Sequence, residues 1–425
     1  MTLPQRISIL GFGRTGRALV EALASKAELF LSESRILSPE ERDFLGRLGI
    51  PFEEGGHSPQ VLDADLLVPS PGVPPNTPVL QEALRKGIPI WSEIELSYRL
   101  ARPSLIFAVT GTNGKSTTTE LIGAILRAWG FKPVVAGNIG RPAIGTIGEV
   151  EGRPWVLEVS SFQLLWTEEF RPNVAVWLNF APDHLDYHGT LAAYFAAKAR
   201  ILRRQTGKDL AVVGREILGA LSPRARVQVI EEVALPKGWE GDFPGHLRFN
   251  LQAAWASASQ AFPGHAPPPL GLLWPALHGP HRLEEVGEIQ GIPFVNDSKG
   301  TNAHATCAAL AAIPGRVVLI LGGRHKGGGY EALAPLLREK VRACVLIGES
   351  QGFFSELLSA WGIPFVCGAD PLDALRKAYR LARPGDTVLL SPACASFDQF
   401  KDYAHRGEAF KEAFRKLRGE APAVP

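Results

Sequence analysis

Short apolar runs alternate with longer stretches of helical period along most of the chain, the pattern of parallel sheets whose strands are joined by helices. The alternation restarts three times. The first block carries RISIL (6–10), ELFL (28–31) and DLLV (65–68) and runs to about Trp91. The second begins at LIFAV (105–109), continues through WVLEV (155–159) and VAVWL (174–178), and passes through less regular sequence to the proline-rich PGHAPPP (263–269). The third holds VVLILGG (317–323), RACVLI (342–347) and DTVLL (386–390), each followed by turn residues. An α/β protein of three domains is expected, over residues 1–92, 93–278 and 279–425.

Length agrees with that division, because 425 residues exceed the roughly 250–300 at which a single core stops growing. A net charge of +2 with no long basic run argues against nucleic acid as a partner. Four scattered cysteines, Cys307, Cys344, Cys367 and Cys394, have neither CxxC nor zinc-finger spacing and are expected as small core residues in a reducing compartment. No charged-then-apolar segment opens the chain, and no apolar run reaches the ~18 residues of a membrane span. A cytoplasmic protein with no membrane insertion is expected.

The strongest chemical signal is VTGTNGKSTTT (109–119), set between an apolar run and the helical LIGAILRAW. Glycines after a strand let backbone N–H groups wrap a phosphate, and the next helix points its positive end there. Lys115 would neutralise the outer phosphates and Ser116 could hold Mg²⁺. The loop departs from GxxxxGK[ST], with Val109 in place of the first glycine. It still reads as an ATP site formed by Gly111, Thr112, Asn113, Gly114, Lys115, Ser116 and Thr117.

A second glycine turn, GFGRTG (11–16), follows RISIL, with Glu33 at the end of the next strand. Alone it fits a dinucleotide fingerprint and keeps an oxidoreductase reading open. The same helix start could take a uridine diphosphate, and such a turn often only brings strand and helix together. Three further residues suggest metal chemistry: Glu158 near the end of its strand, His184 just beyond VAVWL, and Lys198 in AYFAAKARIL. Carboxylate and imidazole at strand ends suit Mg²⁺ near ATP phosphates. An ammonium would repel the metal, so Lys198 reads by itself as a solvated helix residue.

GTNGKST, EVSSFQL (158–164), DHLDYHGT (183–190) with AAK ending at Lys198, HR (281–282), NDSKGTN (296–302) and SPACASFDQF (391–400) together resemble the Mur ligases, most closely their D-glutamate-adding branch. The resemblance implies a Rossmann-like N-terminal domain for UDP, a central P-loop ATPase domain with a parallel-rich sheet, and a C-terminal Rossmann-like domain that closes over the site. It also implies ATP-dependent joining of D-glutamate to UDP-N-acetylmuramoyl-L-alanine for cell-wall peptidoglycan, through an acyl-phosphate and a tetrahedral intermediate. These small molecules would be its partners, and a monomer is expected. Lys115, His184 and Lys198 would serve catalysis. Two Mg²⁺ ions would be held by Ser116, Glu158, His184 and a carbamylated Lys198, carbamylation turning the ammonium into an anionic ligand.

By position, Asn250, Arg282 and Asp297 match ATP contacts. Asn138 matches the muramoyl-alanine side, and Arg14, Thr15, Glu33, Arg35 and Gly72 the uridine side. Asn250 lies in GHLRFNLQAAWASA (245–258), which departs from the family's HN pattern, and SKGTN carries Gly300 where the family has alanine. For D-glutamate, a substrate with two carboxylates, a cation and neutral donors are needed at fixed positions. Lys326 and Thr301, with Ser396, Phe397 and Tyr403, match that site, although Ser396 could equally cap a helix start with Asp398 in its first turn. The folylpolyglutamate type of ligase shares the architecture and is the alternative. A regulator with dead machinery is disfavoured because Glu158, His184, Lys198, Asp297 and Lys326 are all retained.

Overall fold

A computed structural model describes residues 3–239, 243–277 and 279–420. The α/β expectation holds, and each sequence block forms its own sheet. In the first, β1 (Arg6–Leu10), β2 (Glu28–Glu33), β3 (Phe52–Glu54) and β4 (Leu66–Pro69) lie in the order β3-β2-β1-β4, all parallel. The periodicity did not show β3, whose three residues are only half-buried. In the second, β5 (Leu105–Thr110), β6 (Val134–Gly137), β7 (Pro154–Glu158), β8 (Val174–Trp177), β9 (Leu210–Val213) and β10 (Arg226–Val229) run parallel in the order β10-β9-β8-β5-β7-β6. The third holds β11 (Glu284–Ile289), β12 (Ile292–Asn296), β13 (Val317–Gly322), β14 (Val341–Ile347), β15 (Phe365–Cys367) and β16 (Thr387–Leu390). Its order is β11-β12-β16-β13-β14-β15, antiparallel only between β11 and β12.

Strands such as VVLILG and LIFAVT are apolar almost throughout because helices cover both faces of a parallel sheet. Phe107, Val109, Val317 and Leu319 are fully enclosed. The helix Lys115–Ala128 buries Leu121, Ile122, Ile125 and Leu126, each contributing ~1.5–3 kcal/mol by removal from water. That burial anchors the helix whose start forms the phosphate loop.

By packing, the described chain divides into two compact units. One takes the residues up to Phe180, those from Tyr187 to 239 and those from Phe249 to Leu273, and so holds the first two sheets. The other takes the third sheet with two strips from inside the central block, Ala181–Asp186 and residues 243–248. Ser92 caps the helix Glu93–Leu100. That helix joins the first two blocks, since its Ile94 packs in the core of the second sheet and its Leu96 in that of the first. Residue 278, expected as the last of the central block, lies outside the described residues. The cysteines correct one expectation. Cys344 and Cys394 are buried, but Cys307 is only partly covered and Cys367 is exposed at the edge strand β15. No helix among the described residues is long and apolar enough to cross a membrane.

Candidate active site

The phosphate loop forms where β5 ends. Gly114 has φ 83° as it turns the chain into the helix, and a Cβ there would lie 2.4 Å from Asn250 Oδ1, so only glycine fits. Asn250, on the helix Gly245–Ala261, is therefore placed against the loop itself. Lys115 Nζ folds back to donate to Gly111 O at 2.9 Å and Thr112 O at 3.0 Å. Ser116 and Thr117 are buried in the first turn of the helix.

Sequence reasoning missed Asn179, two residues beyond β8. Its Oδ1 accepts from Thr112 N at 3.1 Å and Asn113 N at 2.9 Å, and its Nδ2 donates to Asn113 O at 3.1 Å. Those amides are engaged by Asn179, and the positive end of the helix follows directly at Gly114.

Glu158 closes β7 beside β5, in register with Val109. Its Oε1 accepts from Asn138 Nδ2 at 2.8 Å, while its Oε2 is buried and has no hydrogen-bond partner among the described residues. A buried carboxylate oxygen without a donor is costly, and a cation ligand is one arrangement that meets the cost. The residues therefore fit a magnesium ion at Glu158. Among the described residues no group of three or more His, Cys, Asp or Glu is gathered.

Lys198 overturns the expectation of a solvated side chain. It is 1% exposed, on the buried face of the helix Leu191–Arg203. Its Nζ donates to Gly111 O at 2.8 Å and lies 4.7 Å from the centre of the Tyr194 ring. Tyr194 in turn sits 3.2 Å from the Thr112 hydroxyl. Helical spacing alone did not reveal this, because the loop that Lys198 meets is 87 residues away in sequence.

Glu93 and Glu95 were also missed. The Glu93 carboxylate accepts from Ile144 N at 2.8 Å and Gln163 Nε2 at 3.3 Å. Burial pushes it up to about 7. Gln163 Oε1 accepts from Ser160 N at 3.0 Å, capping the short helix Ser161–Leu165 that follows Glu158. Glu93 thus braces the segments on either side of the Asn138–Glu158 contact. Glu95 accepts from the backbone N–H groups of Glu168, Glu169 and Phe170. Such buried carboxylates look like ordinary helix-surface residues in sequence.

In the N-terminal sheet, Arg14 and Gly72 are exposed and Thr15 half-buried. A Cβ on Gly16 would lie 2.0 Å from Gly11 O, so this glycine lets helix and strand approach. Glu33 is committed. Its carboxylate accepts from Phe12 N at 2.6 Å and Arg35 N at 3.1 Å, and Arg35 forms a bidentate pair with Glu41. A carboxylate so occupied is poorly placed for the ribose contact of a dinucleotide fingerprint.

The DHLDYHGT motif is divided between the two units. Asp183 and His184 belong with the C-terminal sheet, whereas Glu158 and Lys198 belong with the central one. His184 has φ 54° and its Nε2 lies 3.6 Å from Asp183 Oδ2. Lys326 Nζ lies 3.3 Å from Asp183 Oδ1 and 3.4 Å from Thr301 Oγ1, and Asn302 Nδ2 donates to Asp183 Oδ2 at 3.0 Å. Lys326 and Thr301 are thus brought together. Asp183 and Asn302, not expected, complete the cluster.

Backbone pairing of Arg324 with Ala395 sets Ser396 and Phe397 alongside the turn that carries Lys326. Phe397 is 64% exposed and Ser396 buried. Ser396 caps no helix: its carbonyl accepts from Gln399 and Phe400 in a turn, and the helix begins at Tyr403. The buried Arg406 of that helix donates to Ser298 Oγ, Ser298 O, Cys394 O and Ala395 O, tying the two motifs to each other. Tyr403 stands 5.2 Å from Lys299 Nζ and accepts from Ser298 Oγ through its carbonyl.

Arg282 lies between His281 and Leu283, whose φ values of 63° and 45° are unusual for such side chains. His281 is held by Asn296 at 3.0 Å. Asp297 accepts from Ser391 Oγ at 2.7 Å, and burial pushes its carboxyl up to about 7.

A glycine-bearing phosphate loop at the end of a parallel strand, an orphaned carboxylate oxygen and a buried lysine define the phosphate site of a nucleotide-binding enzyme. Matches to the Mur ligase middle domain over residues 109–229, the MurD N-terminal domain over 6–79 and the Mur ligase glutamate ligase domain over 281–394 place the chain in the Mur ligase family. A UDP-N-acetylmuramoylalanine–D-glutamate ligase of Geobacillus kaustophilus is 38% identical over 446 residues, 97% of this chain and 98% of the relative. The ligase of the same name from Solibacter usitatus is 40% identical over 440 residues, with 97% and 98% covered. Among solved structures, MurF ligase from Thermotoga maritima in complex with ADP superposes with a TM-score of 0.60 at 17% identity, covering 98% of this chain and 95% of that one. A bifunctional folylpolyglutamate synthase/dihydrofolate synthase from Yersinia pestis reaches 0.54 at 20% identity but covers only 76% of this chain, against 92% of its own.

Proposed function

We propose that this chain is the ATP-dependent ligase that joins D-glutamate to UDP-N-acetylmuramoyl-L-alanine in peptidoglycan precursor synthesis. The observation that carries the reading is the N-terminal parallel sheet with its glycine turn, matched over residues 6–79 by the MurD N-terminal domain. The shorter coverage of the folylpolyglutamate fold argues against that alternative.

In this reading the domains run over 1–92, 93–278 and 279–425, and the N-terminal one holds UDP through Arg14, Thr15, Arg35 and Gly72. Glu33, engaged by Phe12 and Arg35, shapes that site from beneath. Gly111, Thr112, Asn113 and Gly114 form the loop under the ATP phosphates, with Lys115, Ser116 and Thr117 at the helix start and Asn250 behind them. Arg282 and Asp297 serve the nucleotide from the C-terminal domain. The substrate carboxylate attacks the γ-phosphorus as ADP leaves. The D-glutamate amine then attacks the acyl carbon, and phosphate departs from the tetrahedral intermediate. Lys115 offsets charge on the transferred group. Asn138 orients the muramoyl-alanine part while holding Glu158. Ser116 and Glu158 would hold one Mg²⁺ and His184 with a carbamylated Lys198 a second, supplying charge neutralisation on the phosphates. Lys326, Thr301, Ser396, Phe397 and Tyr403 receive D-glutamate.

The test is phosphate release and product mass with ATP and UDP-N-acetylmuramoyl-L-alanine, offering D-glutamate or L-glutamate. Turnover only with D-glutamate is expected. Turnover with a pterin acceptor and L-glutamate, and none with the muramoyl substrate, would refute the reading.

A further inference from the structure

The segment that carries Asn179 is fixed from behind. Phe180 N donates to Glu216 Oε1 at 2.8 Å, and a Cβ on Gly214 would lie 2.4 Å from Leu178 O, so the end of β9 backs the end of β8. The phosphate loop comes close to this support because residue 111 has no side chain: a Cβ on Gly111 would lie 3.0 Å from Leu178 Cβ. Asn179 then meets the loop through both ends of its amide. Oδ1 accepts from Thr112 N and Asn113 N, Nδ2 donates to Asn113 O, and the Asn179 carbonyl is a second acceptor for Thr112 N at 3.1 Å. Two N–H groups require the oxygen and one carbonyl requires the nitrogen, which fixes which way round the amide lies.

No other side chain of this reach offers that combination. Aspartate would set an oxygen against Asn113 O and put a negative charge beside the phosphate loop, serine has a single polar atom, and glutamine is one methylene longer. Phe180, the next residue, packs on the Tyr194 ring with centroids 5.1 Å apart, and the Tyr194 hydroxyl sits 3.2 Å from that of Thr112. The first half of the loop is therefore held in one conformation by residues that lie outside it.

Ordering a glycine-bearing loop costs conformational entropy at every residue, and a ligand that has to impose the order binds more weakly for it. We propose that Asn179 is a positioning residue for the nucleotide: it presets Gly111–Gly114, so that the helix start at Lys115 is aimed before ATP arrives. The proposal rests on this loop being the ATP site.

Calorimetric titration of the full chain with ADP and Mg²⁺, steady-state kinetics and amide hydrogen exchange test it. Asn179→Ala should weaken ADP by about tenfold to a hundredfold, the worth of two or three hydrogen bonds. Asn179→Asp keeps the acceptor for both N–H groups and should fold like wild type, yet its charge should weaken ADP at least as much. In both variants the apparent KM for ATP should rise by a similar factor, while turnover at saturating ATP and the KM values for the other two substrates stay within about threefold of wild type. The Asn113 amide of the nucleotide-free protein should exchange slowly in wild type and at least about tenfold faster in Asn179→Ala. ADP affinity within about twofold of wild type in either folded variant, an equal rise in all three KM values, or a wild-type Asn113 amide that exchanges freely would overturn the role of Asn179. Should Asn179→Ala not fold, Asn179→Asp and the wild-type exchange still decide. Failure of wild type to bind ADP would overturn the nucleotide site itself.

Discussion

Glu93→Gln separates the energetic cost of a buried carboxylate from its use. Glu93 is 1% exposed, and burial raises its carboxyl from 4.5 to about 7 despite hydrogen bonds from Ile144 N and Gln163. A folded-state value above the unfolded one means that the stability of the protonated form is fully present below about pH 4.5 and is lost as pH rises toward 7. At 1.36 kcal/mol per pH unit the loss amounts to about 3 kcal/mol. Glutamine has no such titration. Its carbonyl can still accept from Ile144 N, but its amide sets a donor against the Gln163 Nε2 donor, a cost that does not change with pH. Urea unfolding followed by circular dichroism should therefore find that, between pH 5 and pH 8, the stability of Glu93→Gln relative to wild type rises by about 2–3 kcal/mol. Activity should move the other way, falling on the order of tenfold as Gln163 loses the acceptor that orients it. A stability difference independent of pH, or a wild type that gains on the variant as pH rises, would refute the reasoning.

Three more substitutions probe the site. Lys198→Ala should lower turnover by about 10²-fold or more, since it removes a buried group bonded to the phosphate loop; a near-wild-type rate without added carboxylate would exclude the carbamate role. Lys326→Ala should raise the apparent KM for D-glutamate by roughly tenfold to a hundredfold, as loss of a charged hydrogen bond does, while those for ATP and the UDP-substrate change little. Equal rises in all three would make Lys326 structural. Gly300→Ala would set a Cβ 2.5 Å from Asp297 Oδ2 and 2.7 Å from Ser391 Oγ; a loss of about 1–3 kcal/mol and a raised KM for ATP are expected, and unchanged Tm and KM would show that Asp297 moves aside freely.

Three α/β blocks and the two glycine turns, one of them the phosphate loop, were legible along the chain, because strand burial, helix period and the demands of a tight turn are local and leave their mark within about ten residues. LIFAV and VVLILGG read as buried parallel strands, and GTNGKS after such a strand as a turn into a helix start. The packing of Lys198 onto Gly111 was not legible. Nor were the clamp of Asn179 on Thr112 and Asn113, the brace from Glu93 to Ile144 and Gln163, or the pairing of Asp183 with Lys326. In sequence these are an ordinary lysine, asparagine and acids on helices and loops. Their chemistry arises when residues far apart along the chain are desolvated against one another, because hydrogen bonds and charges gain strength and direction only where water is excluded. The tertiary structure alone decided that.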